Sequence, residues 1–293
     1  MPSLRDIRRR IKSIHGTAQI TRAMQMVAAS KMRKAQEAAL VPRPFQRLLY
    51  RITRHAITHA PEFKHPLLER REVRRRGVVL IGTDKGLCGS LNINLFRVAA
   101  QFDPQTTLYI TVGKRASQFI ARSRRRLAAE FSTTDAPRFD DARPIVSFAR
   151  DLFMKGDVDQ VLVVTTLFIN TLKQTVGTLE FLPIGEIKAF TSLNTFGAEL
   201  VPEPADDDTE VLFEPDVETA LEPLFKHGLN IFMLKALQEA KASEQSARMV
   251  AMANATDNAK ALITSLTLEY NKLRQGNITQ ELLEIAGGQL NAG

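Results

Sequence analysis

The chain has 293 residues, a formal net charge of +8, and 44% hydrophobic but only 6% aromatic residues, with no tryptophan. This composition favours a helical protein rich in Ala and Leu over a sandwich built on aromatic pairs. Its single cysteine, Cys88, excludes an internal disulfide framework and a cysteine-based zinc site, and no run of eighteen apolar residues predicts a membrane span.

The charge is unevenly distributed along the chain. Residues 1–76 contain 19 Lys and Arg against 5 Asp and Glu, a net of +14. Residues 189–225 contain ten acidic side chains and no Lys or Arg. A basic arm of this kind predicts an acidic partner, which could be nucleic acid, anionic lipid or an acidic protein surface.

The first predicted element is a long N-terminal helix within residues 1–60. Pro2, Ser3 and Asp6 form a helix start of the capping-box type. Apolar residues then recur at spacings of three and four, as along the seam of a coiled coil. These seam residues are Leu4, Ile7, Ile11, Ile14 and Ala18.

The next two positions of the same seam are occupied by polar residues, Thr21 and Gln25. We therefore expect the apolar stripe to drift around a nearly straight helix, since about 3.6 residues per turn does not match a strict heptad. The drifted stripe comprises Ile20, Ala23, Met24 and Val27. Pro42 and Pro44 predict a kink, after which the helical pattern resumes up to residue 60.

The character of the sequence changes at Gly77, which we interpret as the start of an α/β domain over residues 77–200. Short β-rich runs alternate with helical patterns, which predicts a small Rossmann-like domain with a mostly parallel sheet. The predicted strands span residues 78–81, 108–112, 161–166 and 175–183. The predicted helices span residues 92–101, 114–127 and 145–154.

The last two predicted segments are an acidic loop and a second long helix. Residues 201–220 are acidic and contain prolines, which indicates an exposed loop. Residues 221–288 are predicted to be helical, because residues 229–275 contain neither Gly nor Pro. A helix over that interval would be roughly 70 Å long, which is too long to be buried in one small domain. Its predicted seam residues are Met252, Ala255, Ala259, Leu262, Leu266, Tyr270 and Leu273.

Two long helices flank the compact domain, one before it and one after it. If they pair with each other they must run antiparallel, because the chain runs toward the domain along the first helix and away from it along the second. The predicted fold class is therefore α/β. A long antiparallel coiled coil of the N- and C-terminal helices accompanies a small Rossmann-like domain with a mostly parallel sheet.

The turn at residues 82–90 follows a predicted strand and precedes a predicted helix, where phosphate-binding loops occur. Its spacing matches neither the Walker pattern nor GxGxxG. We interpret it as a tight structural turn in which Cys88 is at most a partly exposed thiol. A nucleotide-binding enzyme that uses the middle domain is the alternative.

No catalytic, metal-binding or cofactor-binding constellation is found in the sequence. Asp206, Asp208 and Glu210 resemble the opening of a calcium loop, but the expected glycine and the distant glutamate are missing. The five histidines show no HExxH pattern, and no serine lies in a GxSxG motif. We expect a protein with no catalytic residues, cofactor or metal of its own.

The basic N-terminal helix leaves nucleic-acid binding open as an alternative function, through contacts to phosphates. Against it, the basic residues alternate with the apolar stripe, and no aromatic residue that could stack on a base lies within residues 1–41. A charged face on a paired helix is the simpler interpretation.

Several segments carry a resemblance to a known family. ITRAMQMVAASKMRK at residues 20–34 resembles the N-terminal signature of ATP synthase gamma subunits almost residue for residue. GTDKGLCGSLNIN at residues 82–94 is similar to the first strand-to-helix turn of that family. ASEQSARMVAM at residues 242–252, ATDNA at 255–259 and ITQEL at 278–282 match its C-terminal helix. The resemblance spans essentially the whole chain.

The resemblance implies a central-stalk rotor that transmits torque between a membrane ring of c subunits and the alternating alpha/beta hexamer. In this way proton or sodium flow would be coupled to ATP synthesis. The coiled coil would enter the cavity of the hexamer, and the globular base would meet the epsilon subunit and the c-ring. Catalysis would stay in the beta subunits, with one copy of this chain per complex and no nucleic acid.

By matching position, the resemblance also implies residues for contact and coupling. Met24 would lie near the bearing and coupling zone and Arg248 in the coupling segment. Arg274, Gln275 and Thr279 would be gripped by a loop of the beta subunit. The turn residues implied to lie in the base, where epsilon contact is expected, are Asp84, Lys85, Gly86, Cys88 and Gly89.

The implied location is the cytoplasmic side of a bacterial plasma membrane, as a peripheral subunit held there only through the complex.

The sequence departs from the family pattern locally, because Gly288 is followed by Gln289 and Leu290 rather than by small residues. This departure affects only the contacts expected of the C-terminal tip.

Overall fold

The computed structural model describes residues 3–40, 52, 65–184 and 216–290. The α-helices within these ranges are α1 Leu4–Leu40, α2 Leu91–Ala99, α3 Lys114–Arg122, α4 Phe139–Met154 and α5 Val217–Leu290. The strands are β1 Arg76–Ile81, β2 Thr107–Val112, β3 Arg126–Phe131, β4 Gln160–Phe168 and β5 Gln174–Leu182. The expected kink at Pro42 and Pro44, the helix up to residue 60 and the acidic loop before Asp216 lie outside the described residues.

Packing divides the chain into two units. One unit comprises residues 28–248, and the other comprises residues 1–27 together with 249–293. The division therefore falls within α1 and within α5, rather than at the junction between the predicted α/β domain and the predicted C-terminal helix. We refer to residues 28–248 as the α/β unit and to the remainder as the helix-pair unit.

The α/β unit is built on a five-stranded sheet with the order β3-β2-β1-β4-β5. The first four strands are parallel, and β5 pairs antiparallel with β4. Val78, Val79, Leu80 and Ile81 of the central strand β1 are all buried, as expected of a parallel strand covered on both faces. The prediction of a mostly parallel sheet is confirmed.

Helices cover both faces of this sheet. Val78 and Leu80 share one buried cluster with Leu95 of α2 and Ile120 of α3. The alternate residues of β1, including Val79, belong to a second cluster. The α4 and α5 members of that second cluster are Ala142, Ile145, Val146, Ala149, Phe153, Leu221, Phe225, Leu229, Phe232, Met233, Ala236, Leu237 and Ala240. The first part of α5 thus forms part of the core of the α/β unit.

Strand β3 was not predicted, and the prediction of a helix over residues 114–127 is wrong at its C-terminal end. Helix α3 ends at Arg122, and Arg124 adopts a φ of 52°, which turns the chain into β3. Among the residues that the structure describes, β3 is an edge strand that pairs with β2 alone, and its residues are exposed or half-buried. Because neither face of the strand is fully buried, its sequence lacks a clear strand pattern.

Two other helix boundaries differ from the predictions. Helix α4 begins at Phe139, six residues before the predicted start, although Pro144 lies inside it. Its first turn is held by the Asp141 carboxylate, which accepts a hydrogen bond of 2.8 Å from the Arg138 N–H. Helix α5 begins at Val217 and ends at Leu290, so it includes four residues that were assigned to the acidic loop.

In the helix-pair unit, α1 begins with the predicted capping box. The Asp6 N–H donates to Ser3 Oγ at 3.2 Å, and the Ser3 N–H donates to Asp6 Oδ2 at 3.3 Å. Farther along, the Thr21 and Thr256 hydroxyls form a hydrogen bond of 2.7 Å between α1 and α5. Ile7 is only 1% exposed although it lies fourteen residues before Thr21, so the pairing continues toward the N-terminus of α1. The two terminal helices are therefore in contact at Thr21 and Thr256, and their antiparallel direction stays a prediction.

The expected drift of the α1 seam is wrong. Thr21 is buried and Gln25 is half-buried, so the heptad register continues through both polar residues. Ile20 and Val27, which were assigned to the stripe, are 62% and 56% exposed. The register persists because the Thr21 hydroxyl is paired with Thr256 and is not left buried without a partner.

The α5 half of the seam also keeps a strict alternation of four and three residues. Its buried and half-buried members are Met252, Thr256, Ala259, Ile263, Leu266, Tyr270 and Leu273. Five of the seven predicted seam residues are confirmed. In the observed register Thr256 replaces Ala255, which is half-buried, and Ile263 replaces Leu262, which is 49% exposed. Within the described residues, no helix has the length and apolar character that a membrane span requires.

Candidate functional site

The turn at residues 82–90 joins β1 to α2 and is held by side-chain hydrogen bonds. Thr83 Oγ1 donates to the Lys85 carbonyl at 2.8 Å. Asn92 Nδ2 donates to Thr83 Oγ1 at 2.8 Å, which ties the turn to the first turn of α2. Leu87 and Gly89 have φ values of 63° and 59°, so the chain reverses through two left-handed residues. Leu87 accepts this conformation with its side chain 61% exposed.

The turn packs against the start of α3. Asp84 Oδ1 accepts a hydrogen bond from the Lys114 N–H at 3.1 Å, and the Thr83 carbonyl accepts one from the Arg115 N–H at 2.9 Å. Gly113 has a φ of 92°, and a Cβ at this position would lie 2.7 Å from the Gly82 carbonyl oxygen. The close approach of the two backbones therefore requires glycine at position 113.

Cys88 is buried, with 2% of its surface exposed, which agrees with the expectation of a thiol that is at most partly exposed. Asn92 Nδ2 lies 3.3 Å from Cys88 Sγ. Burial raises the pKa of the thiol, and the nearby Arg248 guanidinium only partly opposes this shift. Cys88 therefore packs as a small apolar residue and is not poised as a nucleophile.

Arg248 of α5 reaches into this turn. Its Nη2 donates to the Gly86 carbonyl at 3.2 Å, and it also lies 3.4 Å from the Lys85 carbonyl. On its own helix, Arg248 Nη2 lies 2.7 Å from Glu244 Oε1, and Nη1 donates to Gln245 Oε1 at 3.2 Å. The structure thus brings together two groups that the sequence analysis treated separately, namely Arg248 and the turn residues.

A second cation completes what we call the buried ion cluster, which consists of Asp84, Lys241, Glu244 and Arg248. Lys241 Nζ lies 3.3 Å from Glu244 Oε2 and 3.7 Å from Asp84 Oδ2. The Lys241 and Glu244 side chains are 7% and 5% exposed. Two cations and two carboxylates therefore balance in charge where α5 meets the turn.

The sequence analysis did not single out Lys241 and Glu244. Glu244 lies in the family-like segment 242–252, and Lys241 directly precedes it. Lys241 is three residues before Glu244, and Glu244 is four residues before Arg248. This spacing, which places the three side chains on one face of a helix, was the only indication in the sequence that they could interact. That spacing usually marks an exposed helical face, so only the structure shows that these charges are buried.

An ion pair between α1 and the loop before α4 lies near the same cluster. Lys31 Nζ contacts Asp135 Oδ2 at 2.6 Å. The hydrogen bond from Lys31 is the largest cause that lowers the pKa of Asp135, and the charges of Lys241 and Lys85 act in the same direction. Asp135 therefore links α1 of the α/β unit electrostatically to the turn.

The remaining predicted site residues lie in the helix-pair unit. Met24 is half-buried and lies three residues after Thr21. Arg274, Gln275 and Thr279 are exposed on α5, where Thr279 Oγ1 donates to the Gln275 carbonyl at 2.9 Å. At 1.5 Å per residue, Arg274 is about 27 Å along α5 from Thr256, so Met24 and this exposed group form separate surfaces.

No group of three or more potential metal-ligating side chains occurs in the part of the chain that the structure describes. Asp84 of the turn is used in an internal ion pair with Lys241, and the arrangement is suited to holding a helix against a sheet.

Comparison with known proteins identifies the family. The model of the ATP synthase family matches residues 3–290. An ATP synthase gamma chain of Opitutus terrae is 45% identical over 293 residues, which cover 100% of this chain and 99% of the relative. The chain belongs to the ATP synthase gamma-chain family. A second gamma chain, from Methylacidiphilum infernorum, is 40% identical and is covered over 100% of its length.

Solved structures share this fold. The rotor of the Euglena gracilis mitochondrial ATP synthase superposes with a TM-score of 0.63 at 18% identity, covering 94% of this chain and 98% of that one. The central stalk and c-ring structure of the Tetrahymena thermophila mitochondrial ATP synthase gives a TM-score of 0.60 at 25% identity, and the match covers 80% of this chain and 99% of that one.

Membership of the gamma-chain family confirms the resemblance carried by residues 20–34 and by the α5 segments. It makes the chain a subunit of a membrane-associated complex, and none of these relatives supports the nucleic-acid-binding alternative. The buried ion cluster, the Thr21–Thr256 pair and the exposed end of α5 are therefore features of an ATP synthase gamma chain.

Proposed function

We propose that this chain is the torque-transmitting shaft of the rotary ATP synthase and that it contributes no catalytic residue. One observation carries the proposal. The single helix α5 supplies both part of the sheet core, up to residue 248, and one half of the helix pair, from residue 249 onward. A continuous helix that is anchored in this way can carry a twisting load without a flexible linker.

The packing of α5 against the sheet supports a load-bearing role. Leu229, Phe232 and Met233 are buried in the same cluster as the central strand, and Ser243 Oγ donates to the Thr166 carbonyl of β4 at 3.2 Å. The buried ion cluster then fixes the same helix to the turn after β1. Rotation of α5 about its own axis would break both sets of contacts.

The helix pair has the surface expected of a slim shaft inside a protein cavity. Thr21, Thr256 and Ala259 at its seam are small residues, which permits close approach of the two helices. Apolar residues on its outside are exposed, including Ile20, Val27 and Leu268. We propose that the surrounding alpha/beta hexamer covers these residues in the assembled enzyme.

The partners proposed for this chain are the alpha and beta subunits around the helix pair, and the epsilon subunit and c-ring at the α/β unit. Met24, Arg274, Gln275 and Thr279 would make the contacts that couple rotation to catalysis. Arg248 would act from within the α/β unit by holding the turn. The complex would contain one copy of this chain and would lie on the cytoplasmic side of a bacterial inner membrane. A flow of protons or sodium ions across that membrane would drive rotation.

The experiment that tests this function is a single-molecule rotation assay. The Leu172→Cys substitution places a thiol in the β4–β5 connection, where Leu172 is 82% exposed, and a bead can be attached there. With the alpha/beta hexamer fixed to a surface, ATP should turn the bead in one direction. The isolated chain should hydrolyse no ATP. Sustained ATP hydrolysis by the hexamer while the attached bead stays still would contradict the role of a shaft.

A further inference from the structure

A groove lies on the outer side of the α/β unit, between α2 and α3. Its volume is about 430 Å³, which is large enough for one or two side chains of a partner. The residues that line it are Phe96, Arg115, Gln118, Phe119, Arg122 and Ser123. Arg115 also contacts the turn at residues 82–90 through its backbone N–H, whereas the other lining residues belong to neither the turn nor the exposed end of α5.

Two stacked aromatic rings form the apolar part of the groove. The Phe96 and Phe119 rings have centroids 4.4 Å apart and an interplanar angle of only 3°. Both side chains remain partly exposed, although each also packs against the buried cluster beneath α2 and α3. Ile93, one turn before Phe96, is 60% exposed and extends the apolar surface. This side of the α/β unit therefore presents apolar area to solvent beside the groove.

The charge around the groove is strongly positive. Residues 85–129 contain eight Lys and Arg, and Asp103 is their only acidic residue. Arg125 is used internally, because its guanidinium donates to the carbonyls of Phe102 and Ala100. Arg115 and Arg122 are exposed, and neither forms an ion pair within the part of the chain that is described.

We propose that this groove binds an acidic segment of a partner protein. An apolar side chain of that segment would contact Phe96 and Phe119, while its carboxylates would pair with Arg115 and Arg122. An apolar anchor flanked by charge-assisted hydrogen bonds is the usual composition of a protein-binding hot spot. The proposal extends beyond torque transmission, because the groove can hold such a segment whether or not the helix pair turns.

The aromatic geometry favours a protein over a nucleic acid. Proteins that bind single-stranded nucleic acids offer free ring faces on which bases stack. Here the facing sides of Phe96 and Phe119 are occupied by each other. A base therefore cannot insert between the two rings, whereas an apolar side chain can pack against them from the groove, and the arginines then select for carboxylates next to that side chain.

A binding experiment with the full-length chain separates these possibilities. The probe is a random copolymer of glutamate and tyrosine, compared with polyglutamate of equal length by fluorescence anisotropy. The copolymer should bind at least about tenfold more tightly, because only it offers an apolar anchor beside the carboxylates. Equal affinity for the two polymers would overturn the proposal, as would tighter binding of a single-stranded oligonucleotide or of anionic lipid vesicles.

Matched variants locate the binding on the chain. The double substitution Arg115→Gln and Arg122→Gln should weaken copolymer binding by about tenfold, whereas Arg126→Gln, an exposed arginine outside the groove, should change it by less than about twofold. An equal loss in both variants would indicate attraction by net charge alone and would overturn the assignment to the groove.

A photo-crosslinking amino acid at position 118 tests the same surface in the assembled ATP synthase. Gln118 lines the groove and is exposed, so it can be replaced without removing an apolar or charged contact. We expect a crosslink to a segment of another subunit in which Asp and Glu exceed Lys and Arg. No crosslink, or a crosslink to a neutral or basic segment, would overturn the proposal.

Discussion

The guanidinium of Arg248 lies 2.7 Å from the Glu244 carboxylate, one helical turn away on α5, and both side chains are at most 10% exposed. The same guanidinium donates to the Gly86 carbonyl, so the ion pair that satisfies the helix also holds the turn after β1. Substituting one partner of such a buried pair lowers the stability of the fold, because the remaining charge stays buried without its partner.

We therefore expect Arg248→Met to destabilise the chain by about 3 kcal/mol, since Glu244 would keep only Lys241 and the Gly86 carbonyl would lose its side-chain donor. Urea unfolding followed by circular dichroism measures this loss. The matched control is Arg274→Met, because Arg274 is exposed on the same helix and its loss should cost less than about 0.5 kcal/mol. Equal effects of the two substitutions would show that the buried ion cluster does not stabilise the fold.

The Thr21–Thr256 pair predicts a non-additive double-mutant cycle. Either Thr21→Val or Thr256→Val should cost about 1 kcal/mol, because the remaining hydroxyl loses the hydrogen bond across the seam and keeps only a carbonyl acceptor on its own helix. The double variant should cost clearly less than the sum, since the second substitution removes no further hydrogen bond across the seam. Unfolding free energies of the four proteins test this, and strict additivity would mean that the hydroxyls do not interact.

The burial of Cys88 predicts slow chemical modification. In the folded chain it should react with a disulfide reagent at least about 100-fold more slowly than the thiol introduced by Leu172→Cys in a Cys88→Ser background. The raised pKa adds a dependence on pH. The stability that it contributes is fully present below the pKa of an unfolded cysteine and is lost as the pH rises through the higher folded pKa. Rapid modification at neutral pH would contradict this burial.

The Lys31–Asp135 pair makes the opposite prediction for pH. The pKa of Asp135 is lowered, so its stabilising effect is present above the pKa of an unfolded aspartate and disappears as the pH falls through the folded pKa. The pair is exposed, and Lys31→Gln should cost less than about 1 kcal/mol. NMR titration should show the Asp135 pKa moving upward in that variant. An unchanged pKa would exclude Lys31 as the main cause.

Met24 tests coupling within the proposed shaft. Met24→Lys should reduce the coupling of proton or sodium transport to catalysis more than it reduces ATP hydrolysis, because a new cation can bind acidic loops of the surrounding subunits too tightly. Reconstituted vesicles, assayed for both activities, provide the measurement. Met26→Lys is the control, since Met26 is 61% exposed two residues away. Unchanged coupling in Met24→Lys would mean that Met24 only packs in the seam.

Most of the fold could be predicted because its signals are local. The buried strands β1, β2 and β4 are apolar runs, and the long α5 has a central stretch without Gly or Pro. The edge strand β3 could not be predicted, because its stability comes from pairing with β2 rather than from a hydrophobic pattern of its own. The persistence of the seam through Thr21 depends on a partner 235 residues away, which local periodicity cannot indicate.

The candidate site was predicted in parts and not as a whole. Motif matching selected Arg248 and the turn containing Gly86, but the hydrogen bond between them spans 162 residues of sequence. Lys241 and Glu244 have the spacing of an ordinary solvent-exposed helical pair. Only the packing of α5 on the sheet buries them, and that packing depends on the full arrangement of strands.

The contact between Thr21 and Thr256 has a consequence for biosynthesis. A ribosome completes α1 early, yet the residues that cover its seam are made more than two hundred positions later. Helix α1 therefore remains without its partner helix, with Ile7 and its apolar neighbours exposed to solvent, until nearly the entire chain has emerged from the ribosome. The high sequence separation of this pairing should make docking of the two terminal helices the slowest step in the maturation of the protein.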